Sequence, residues 1–392
     1  MAAAAILVRA PGYPPSAGPV ATAASKPRPA VSPVTRAYSL PLVANQRPQV
    51  PSLSQVYLPF IGSQTERLVS EPTPPPATPT PARAAVAPTR TPVKPKPSQP
   101  VPTPPRVLRE PITKVTKLGV GVYGLHASDS ELESLLRIQP SVLVLQDPDI
   151  DFARKVRYYF PKAFIIGRTF LASQPLDNPE QRGIALADKV AELAVPRQGL
   201  IDAWQGYNEP VAHNDYAGYE AYNRLQVAFA QRLQGHYGIP AVAGNDPPGA
   251  VEPSDYPKYF AEAIRASQYF GIHAYSKPDN YTLRTEDAAY YALRYRLIHD
   301  ELEKAGLHDV QMVITEVGLA NGWRYKVTPE EMAAQYFWLT DELEKDPYMI
   351  GMAIYGLFHD KGVSGWQDHD IKGTGLVDLL GTYQPRRRGE AR

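Results

Sequence analysis

Two glutamates stand where their side chains could perform proton transfer or nucleophilic attack. Glu209 lies in the stretch WQGYNEP at the end of an apolar run, and Glu316 lies near the end of another, VQMVITEVGL. Two carboxyl groups that face each other across a cleft suit hydrolysis of a glycosidic bond. One protonates the departing oxygen, while the other attacks the anomeric carbon or activates water. Each glutamate alone also fits a turn or a surface ion pair.

Eight short apolar runs would position these glutamates. The runs are almost continuously apolar, which is typical of parallel strands covered on both faces. They span residues 115–125, 141–147, 163–170, 201–210, 239–246, 269–276, 310–319 and 349–359.

Segments of helical period separate the runs. Two buried stripes are indicated by apolar residues spaced three or four apart, namely Tyr222, Leu225, Phe229 and Leu233, and Met332, Tyr336, Leu339 and Leu343. Thr328, Pro329 and Glu331 have the spacing of a capping box with proline at the first helical position. Eight strands alternating with helices over about 270 residues predict an α/β fold, the (β/α)₈ TIM barrel.

An open doubly wound sheet is the competing fold. It would place a glycine-rich phosphate loop after the first strand, and the stretch GVGVYGLHAS lacks that spacing. In a barrel, Glu209 closes the fourth run and Glu316 the seventh, on opposite sides of the mouth. Active sites of this fold lie at that mouth, so the two glutamates are predicted to act as a pair.

The two motifs resemble a known group. YNEP after the fourth strand and ITEVG in the seventh are similar to the two signatures of the clan A glycoside hydrolases. These are retaining (β/α)₈ families with many β-glucanases, β-mannanases, β-galactosidases and β-xylosidases. The resemblance covers residues from about 117 to 378, including TGLVD at 374–378. It implies that Glu209 is the general acid/base and Glu316 the nucleophile. It further implies that Asn208 binds the hydroxyl beside the anomeric carbon and that Tyr275 donates to Glu316.

Two more polar residues end strands at the mouth. Arg168 is predicted to bind a sugar hydroxyl or to brace Glu316, with a structural ion pair as the alternative. His273 is predicted to belong to the proton network of the nucleophile, or else to be a hydrogen-bonded core histidine. The remaining histidines show no metal-ligand spacing, so neither a metal nor a cofactor is predicted.

Aromatic residues follow the last two strands. Trp323 and Trp366 lie on loops where they would stack on pyranose rings, or instead hold their own loops in place. Many clan A relatives carry tryptophan at the end of the eighth strand, where this chain reads YGLFHD. Phe358 and Trp366 are the candidates to replace it. Little sequence remains afterwards, so either a short helix closes the barrel or the N-terminal segment covers the gap.

The first part of the chain differs in composition. Residues 1–110 hold 25 of the 42 prolines and carry 12 Lys and Arg against 3 Asp and Glu, whereas the rest carries 29 against 37. Proline removes backbone donors and favours extended chain, so no core is expected there. We therefore predict a disordered Pro/Ala/Thr-rich basic tail or linker at 1–111, a catalytic domain at 112–385 and a basic tail at 386–392.

Composition also limits partners and location. The basic residues of the tail are dispersed, so nucleic-acid binding is not predicted. No run approaches the roughly 18 apolar residues of a membrane span, and the N-terminus lacks the pattern of a signal peptide. The Pro/Thr-rich tail nonetheless favours an extracellular or cell-surface location, with wall or surface association through the tail. The absence of cysteine excludes disulfides and thiolate nucleophiles.

The sequence thus predicts a retaining glycoside hydrolase whose partner is a β-linked oligo- or polysaccharide. A transglycosylase would use the same two glutamates. A non-catalytic carbohydrate-binding or wall-associated barrel is the alternative from a different class, and an adaptor acting through the proline-rich tail is a third.

Overall fold

Eight parallel strands form a closed barrel in sequence order, which confirms the predicted TIM barrel. The computed structural model describes residues 110–124, 127–278, 280–358 and 366–385. The predicted tails at 1–111, apart from Glu110 and Pro111, and at 386–392 lie outside these residues. The strands are β1 Gly119–Tyr123, β2 Val142–Gln146, β3 Phe164–Arg168, β4 Ala203–Gln205, β5 Ala241–Gly244, β6 Tyr269–Tyr275, β7 Met312–Gly318 and β8 Met349–Phe358.

Strand β2 shows why the apolar runs are continuous. Val142 and Val144 belong to the apolar cluster inside the barrel, whereas Leu143 and Leu145 pack in the larger cluster shared with the helices. Every residue of β2 is buried. Both faces of a barrel strand exclude water, so alternation with polar residues is absent.

Helices follow the strands around the outside. They are α1 Asp129–Ile138, α2 Ile150–Tyr159, α3 Pro179–Ala194, α4 Tyr216–Tyr237, α5 Tyr256–Tyr259, α6 Ala261–Ala266, α7 Arg294–Lys304, α8 Pro329–Leu343 and α9 Leu376–Gly381. All eight residues of the two predicted stripes, on α4 and α8, are buried. The predicted capping box of α8 is present, because the Thr328 hydroxyl accepts from the Glu331 N–H at 3.2 Å and the Glu331 carboxylate accepts from the Thr328 N–H at 2.8 Å.

The barrel closes with the short helix α9, which was one of the two expected alternatives. The segment before β1 contacts the end of α2 and the residues after α9, since the Ile112 N–H donates to the Tyr159 carbonyl and the Lys114 ammonium donates to the Tyr383 carbonyl. Within the described part of the chain, no helix is both long and apolar enough to span a membrane.

Candidate active site

Glu209 lies beyond β4 and not at its end. Strand β4 stops at Gln205, and the backbone reaches Glu209 through a turn in which Glu209 has φ of 57°. This left-handed conformation costs a non-glycine residue on the order of 1 kcal/mol. The Glu209 N–H donates to the Asn245 carbonyl at 2.9 Å, and Gln174 bonds both the N–H and the carbonyl of Asn208. Hydrogen bonds from the loops after β3 and β5 therefore fix the backbone orientation at Glu209.

Glu316 lies within β7 and is held by donors from two other strands. Its side chain is only 7% exposed. Arg168, at the end of β3, donates from Nη1 to Oε1 at 2.5 Å, and the Tyr275 hydroxyl, at the end of β6, donates to Oε2 at 2.9 Å. Burial alone would raise the pKa of Glu316. The charges of His273 and Arg168 and the two donated hydrogen bonds outweigh burial and lower the pKa, so Glu316 stays ionised.

His273 connects the two glutamates. Its Nδ1 lies 2.7 Å from Oε1 of Glu209 and 3.6 Å from Oε2 of Glu316, and its side chain is fully buried. Burial acts to lower the pKa of His273, but the negative charges of Glu316 and Glu209 outweigh it and raise the pKa. A change of charge on one glutamate therefore alters the electrostatic environment of the other through this imidazole.

The two carboxylates are close together. One oxygen of Glu209, one oxygen of Glu316 and a ring nitrogen of His273 all lie within 4.8 Å of one another. Such a trio also has the composition of a metal ligand set. However, the guanidinium of Arg168 already places a positive charge on Glu316, and this charge repels a second cation.

Asp246 is a buried acid at the mouth of the barrel. It follows β5, is 3% exposed, and neither carboxylate oxygen accepts a hydrogen bond from a described residue. Burial raises the pKa of Asp246 to about 7; His273 acts to lower the pKa and Glu209 to raise it. Nε2 of His273 likewise has no partner among the described residues. Buried polar groups without partners are rare and often mark functional sites.

Aromatic rings surround the Glu316 side of the site. The Arg168 guanidinium lies 5.6 Å from the Tyr123 ring centroid. Tyr123 in turn stacks on Phe358 at 5.3 Å and meets Tyr355 edge-on at 4.7 Å. The ring centroids of Trp366 and Phe358 are 5.7 Å apart, so both aromatic candidates at the end of the eighth strand join this cluster. The sequence missed Tyr355, because it precedes the polar end of its run.

Trp323 lies apart from these rings. It is buried, and its indole N–H donates to the His369 carbonyl at 3.1 Å. Its own backbone N–H donates to the Asp368 carbonyl at 2.8 Å. This placement favours the loop-holding interpretation of Trp323 over sugar stacking.

Asn208 is half-buried beside Glu209. Its side-chain oxygen accepts a long 3.4 Å hydrogen bond from the Gln205 amide. The structure thus brings Glu209, Glu316, His273, Arg168 and Tyr275 into one bonded network, with Asn208 adjacent to it.

Comparisons with known proteins bear on this barrel. No protein-family model and no curated protein sequence matches the chain. Among solved structures, a family 39 glycoside hydrolase from Bacteroides cellulosilyticus is 12% identical, with a TM-score of 0.49 over 69% of this chain and 63% of that one. A glucosidase from Croceicoccus marinus is 11% identical, with a TM-score of 0.48 over 69% and 68%. A family 128 endo-β-1,3-glucanase from Pseudomonas viridiflava is 15% identical, with a TM-score of 0.42 over 69% and 98%. The match thus spans less than two thirds of the family 39 enzyme.

Proposed function

We propose that this protein is a retaining glycoside hydrolase that cleaves β-linked oligo- or polysaccharides. The observation that carries the proposal is the distance of at most 4.8 Å between carboxylate oxygens of Glu209 and Glu316. In retaining enzymes the two carboxyl groups lie about 5–5.5 Å apart, whereas inverting enzymes separate them by about 6.5–9.5 Å to admit a water molecule. The β-linkage comes from the resemblance of the YNEP and ITEVG motifs.

In the first step, a carboxylate oxygen of Glu316 attacks the anomeric carbon. The bond from that carbon to the leaving oxygen breaks, and Glu209 transfers its proton to this oxygen. Glu316 suits the nucleophile because Arg168, Tyr275 and His273 favour its ionised form. Glu209 suits the acid because its side chain is 24% exposed and can exchange protons with solvent.

In the second step, the ionised Glu209 takes a proton from water. The water oxygen attacks the anomeric carbon, the bond to Glu316 breaks, and the sugar leaves with its original configuration. Asn208 binds the hydroxyl beside the anomeric carbon. Hydrogen bonds to that hydroxyl strengthen in the transition state and lower the barrier of both steps.

Azide rescue of two alanine variants tests the assignment. The substrates are 2,4-dinitrophenyl β-glycosides of several sugars, whose leaving group needs no protonation. Glu316→Ala should lose turnover, and azide should restore it by forming the α-glycosyl azide, because azide attacks in place of the glutamate. Glu209→Ala should form the β-glycosyl azide, because azide attacks the glycosyl-enzyme in place of water.

Glu330→Ala, an exposed position on α8, is the matched control and should keep wild-type turnover. Chelator should leave turnover of the wild type unchanged. Full activity of Glu316→Ala, or an azide product of the opposite configuration, would contradict the proposal.

A further inference from the structure

Exposed aromatic side chains are concentrated at the mouth of the barrel. Six aromatic residues are strongly exposed among the described residues, and five of them lie beyond the C-terminal ends of strands. We call these five the rim aromatics: Phe170 after β3, Tyr216 at the start of α4, Tyr281 and Tyr290 after β6, and Tyr325 after β7. The sixth, Tyr158, lies in the last turn of α2, on the opposite end of the barrel. Loops at the mouth are where this fold binds its substrates.

Tyr325 is presented by a rigid loop. Its ring is 95% exposed and its backbone has φ of 65°, a strained conformation for a side chain of this size. The N–H groups of Trp323 and Arg324 both donate to the Asp368 carbonyl, and the Arg324 guanidinium donates to two further carbonyls. A fully exposed ring adds nothing to the stability of the fold, so strain and bonding around it indicate a contact made outside the chain.

Tyr281 lies beside this loop. The Lys326 ammonium, one residue after Tyr325, is 5.9 Å from the Tyr281 ring centroid. Gln335 of α8 bonds the Tyr281 carbonyl and the Leu283 N–H, which fixes the β6 loop as well. The β6 and β7 loops therefore hold two exposed rings on one side of the mouth.

Phe170 lies on the opposite side of the barrel mouth. Strands β3 and β7 are four positions apart in the closed ring of eight, so they face each other. Phe170 is two residues beyond Arg168, which bonds Glu316, and its N–H donates to the Asp147 carboxylate at 3.0 Å. Tyr216 follows the neighbouring strand β4 and stacks on Tyr259 at 5.5 Å. The carboxylate pair thus lies between two groups of exposed rings.

We propose that the rim aromatics are stacking subsites for a β-linked polysaccharide that extends to both sides of Glu209 and Glu316, so that cleavage occurs within the chain. This inference rests on the proposed function and specifies its substrate class as polymeric. The apolar faces of pyranose rings are flat and match aromatic faces, while a tyrosine hydroxyl stays in water. A single sugar reaches the carboxylates without touching both groups of rings, whereas a chain touches both.

Binding to polymer tests the subsites without relying on turnover. Electrophoresis of the inactive Glu316→Ala protein through native gels with soluble β-glucan, β-mannan or β-xylan should show retardation in at least one gel. Tyr325→Ala and Phe170→Ala, each added to Glu316→Ala, should reduce that retardation. Tyr158→Ala should leave it unchanged, because Tyr158 is about as exposed as Phe170 but lies away from the mouth.

Kinetics in the active protein supply the second measurement. Tyr325→Ala should lower kcat/KM for the retarding polysaccharide about tenfold more than kcat/KM for an aryl β-glycoside, since one stacked ring contributes about 1.4 kcal/mol. Viscosity should fall well before reducing ends accumulate. Absence of retardation in every gel, or equal retardation of Tyr325→Ala, Phe170→Ala and Tyr158→Ala, overturns the inference. A wild-type protein that binds the polymer but cleaves neither the polymer nor any aryl β-glycoside would instead overturn the proposed function.

Discussion

Nδ1 of His273 lies 2.7 Å from Oε1 of Glu209, within a network that also includes Glu316. The imidazole is fully buried, so water does not screen its charge from either glutamate. Its raised pKa keeps the imidazole protonated over a wider pH range, and the protonated ring stabilises the negative charge of Glu316. Glu209 and Glu316, the proposed acid and the proposed nucleophile, are therefore electrostatically coupled through one side chain.

Replacing His273 should shift the pH dependence of catalysis. His273→Asn keeps a donor near Nδ1 but removes the charge, so the pKa of Glu316 should rise. The acidic limb of the kcat/KM profile should then move to higher pH. A neutral amide does not reproduce the charge-assisted bond to Glu209, worth about 1.5–3 kcal/mol, so kcat/KM should fall roughly 10- to 100-fold.

The measurement is kcat/KM for an aryl β-glycoside between pH 4 and 9. His308→Asn is the matched control, because His308 is exposed and pairs with Glu303 on the surface. An acidic limb that stays in place in His273→Asn would rule out the electrostatic role of this histidine.

Removing the hydroxyl of Tyr275 should weaken Glu316, the proposed nucleophile, without disturbing the packing. Tyr275→Phe deletes the 2.9 Å bond to Glu316, so the pKa of Glu316 should rise and kcat should fall about tenfold. Tyr123→Phe is the comparison, since the buried Tyr123 hydroxyl bonds no described residue. Pre-steady-state release of dinitrophenolate measures the attack step directly. Equal rates of release in the two variants would contradict the role given to Tyr275.

Asp246→Asn should change how stability depends on pH. The pKa of Asp246 is about 7 in the folded chain and about 4 in an unfolded one, so the folded state binds more protons between these values. The contribution of Asp246 to stability is therefore fully present below about pH 4 and is lost as the pH rises through 7. Asparagine carries no charge and does not lose this contribution. The free energy of unfolding of the variant, relative to that of the wild type, should therefore rise by a few kcal/mol between pH 4.5 and pH 8.

Urea unfolding at those two pH values measures this difference. Asp300→Asn, an exposed position on α7, reports any general effect of replacing an aspartate. If the free energies of unfolding of wild type and Asp246→Asn differ by the same amount at both pH values, Asp246 does not titrate in this range.

The barrel was predictable because its signal is local. A strand such as β2 must be apolar on both faces, and Val142 to Leu145 show this within four residues. The start of α8 was equally predictable, because the side chains of Thr328 and Glu331, three residues apart, each form a hydrogen bond with the other's backbone. Patterns of this kind depend only on neighbours in sequence.

The details of the site depend on residues far apart in sequence. The sequence run suggested that β4 extends to Glu209, yet the strand ends at Gln205, and the Asn245 carbonyl of the next loop fixes the turn. Asp246 and Tyr355 offered no motif, because their positions become informative only when the strands converge. Trp323 could not be assigned either, since its partner is the carbonyl of His369 in another loop.

Arg168→Met should destabilise the fold at neutral pH. Arg168 and Glu316 are 15% and 7% exposed, and removing one partner of a buried ion pair costs about 3–5 kcal/mol when no other group compensates the charge. His273 and Tyr275 still contact Glu316, so the loss should lie at or below the lower end of this range. The folded pKa of Glu316 is depressed in the wild type, so the pair's contribution is present above about pH 4 and is lost as the pH falls further. The cost of Arg168→Met should therefore shrink in acid.

A double-mutant cycle by urea unfolding at pH 7 measures the interaction. Adding Glu316→Gln to Arg168→Met should recover part of the lost stability, because no buried charge then lacks a partner. Additive losses would show that Arg168 and Glu316 do not stabilise each other.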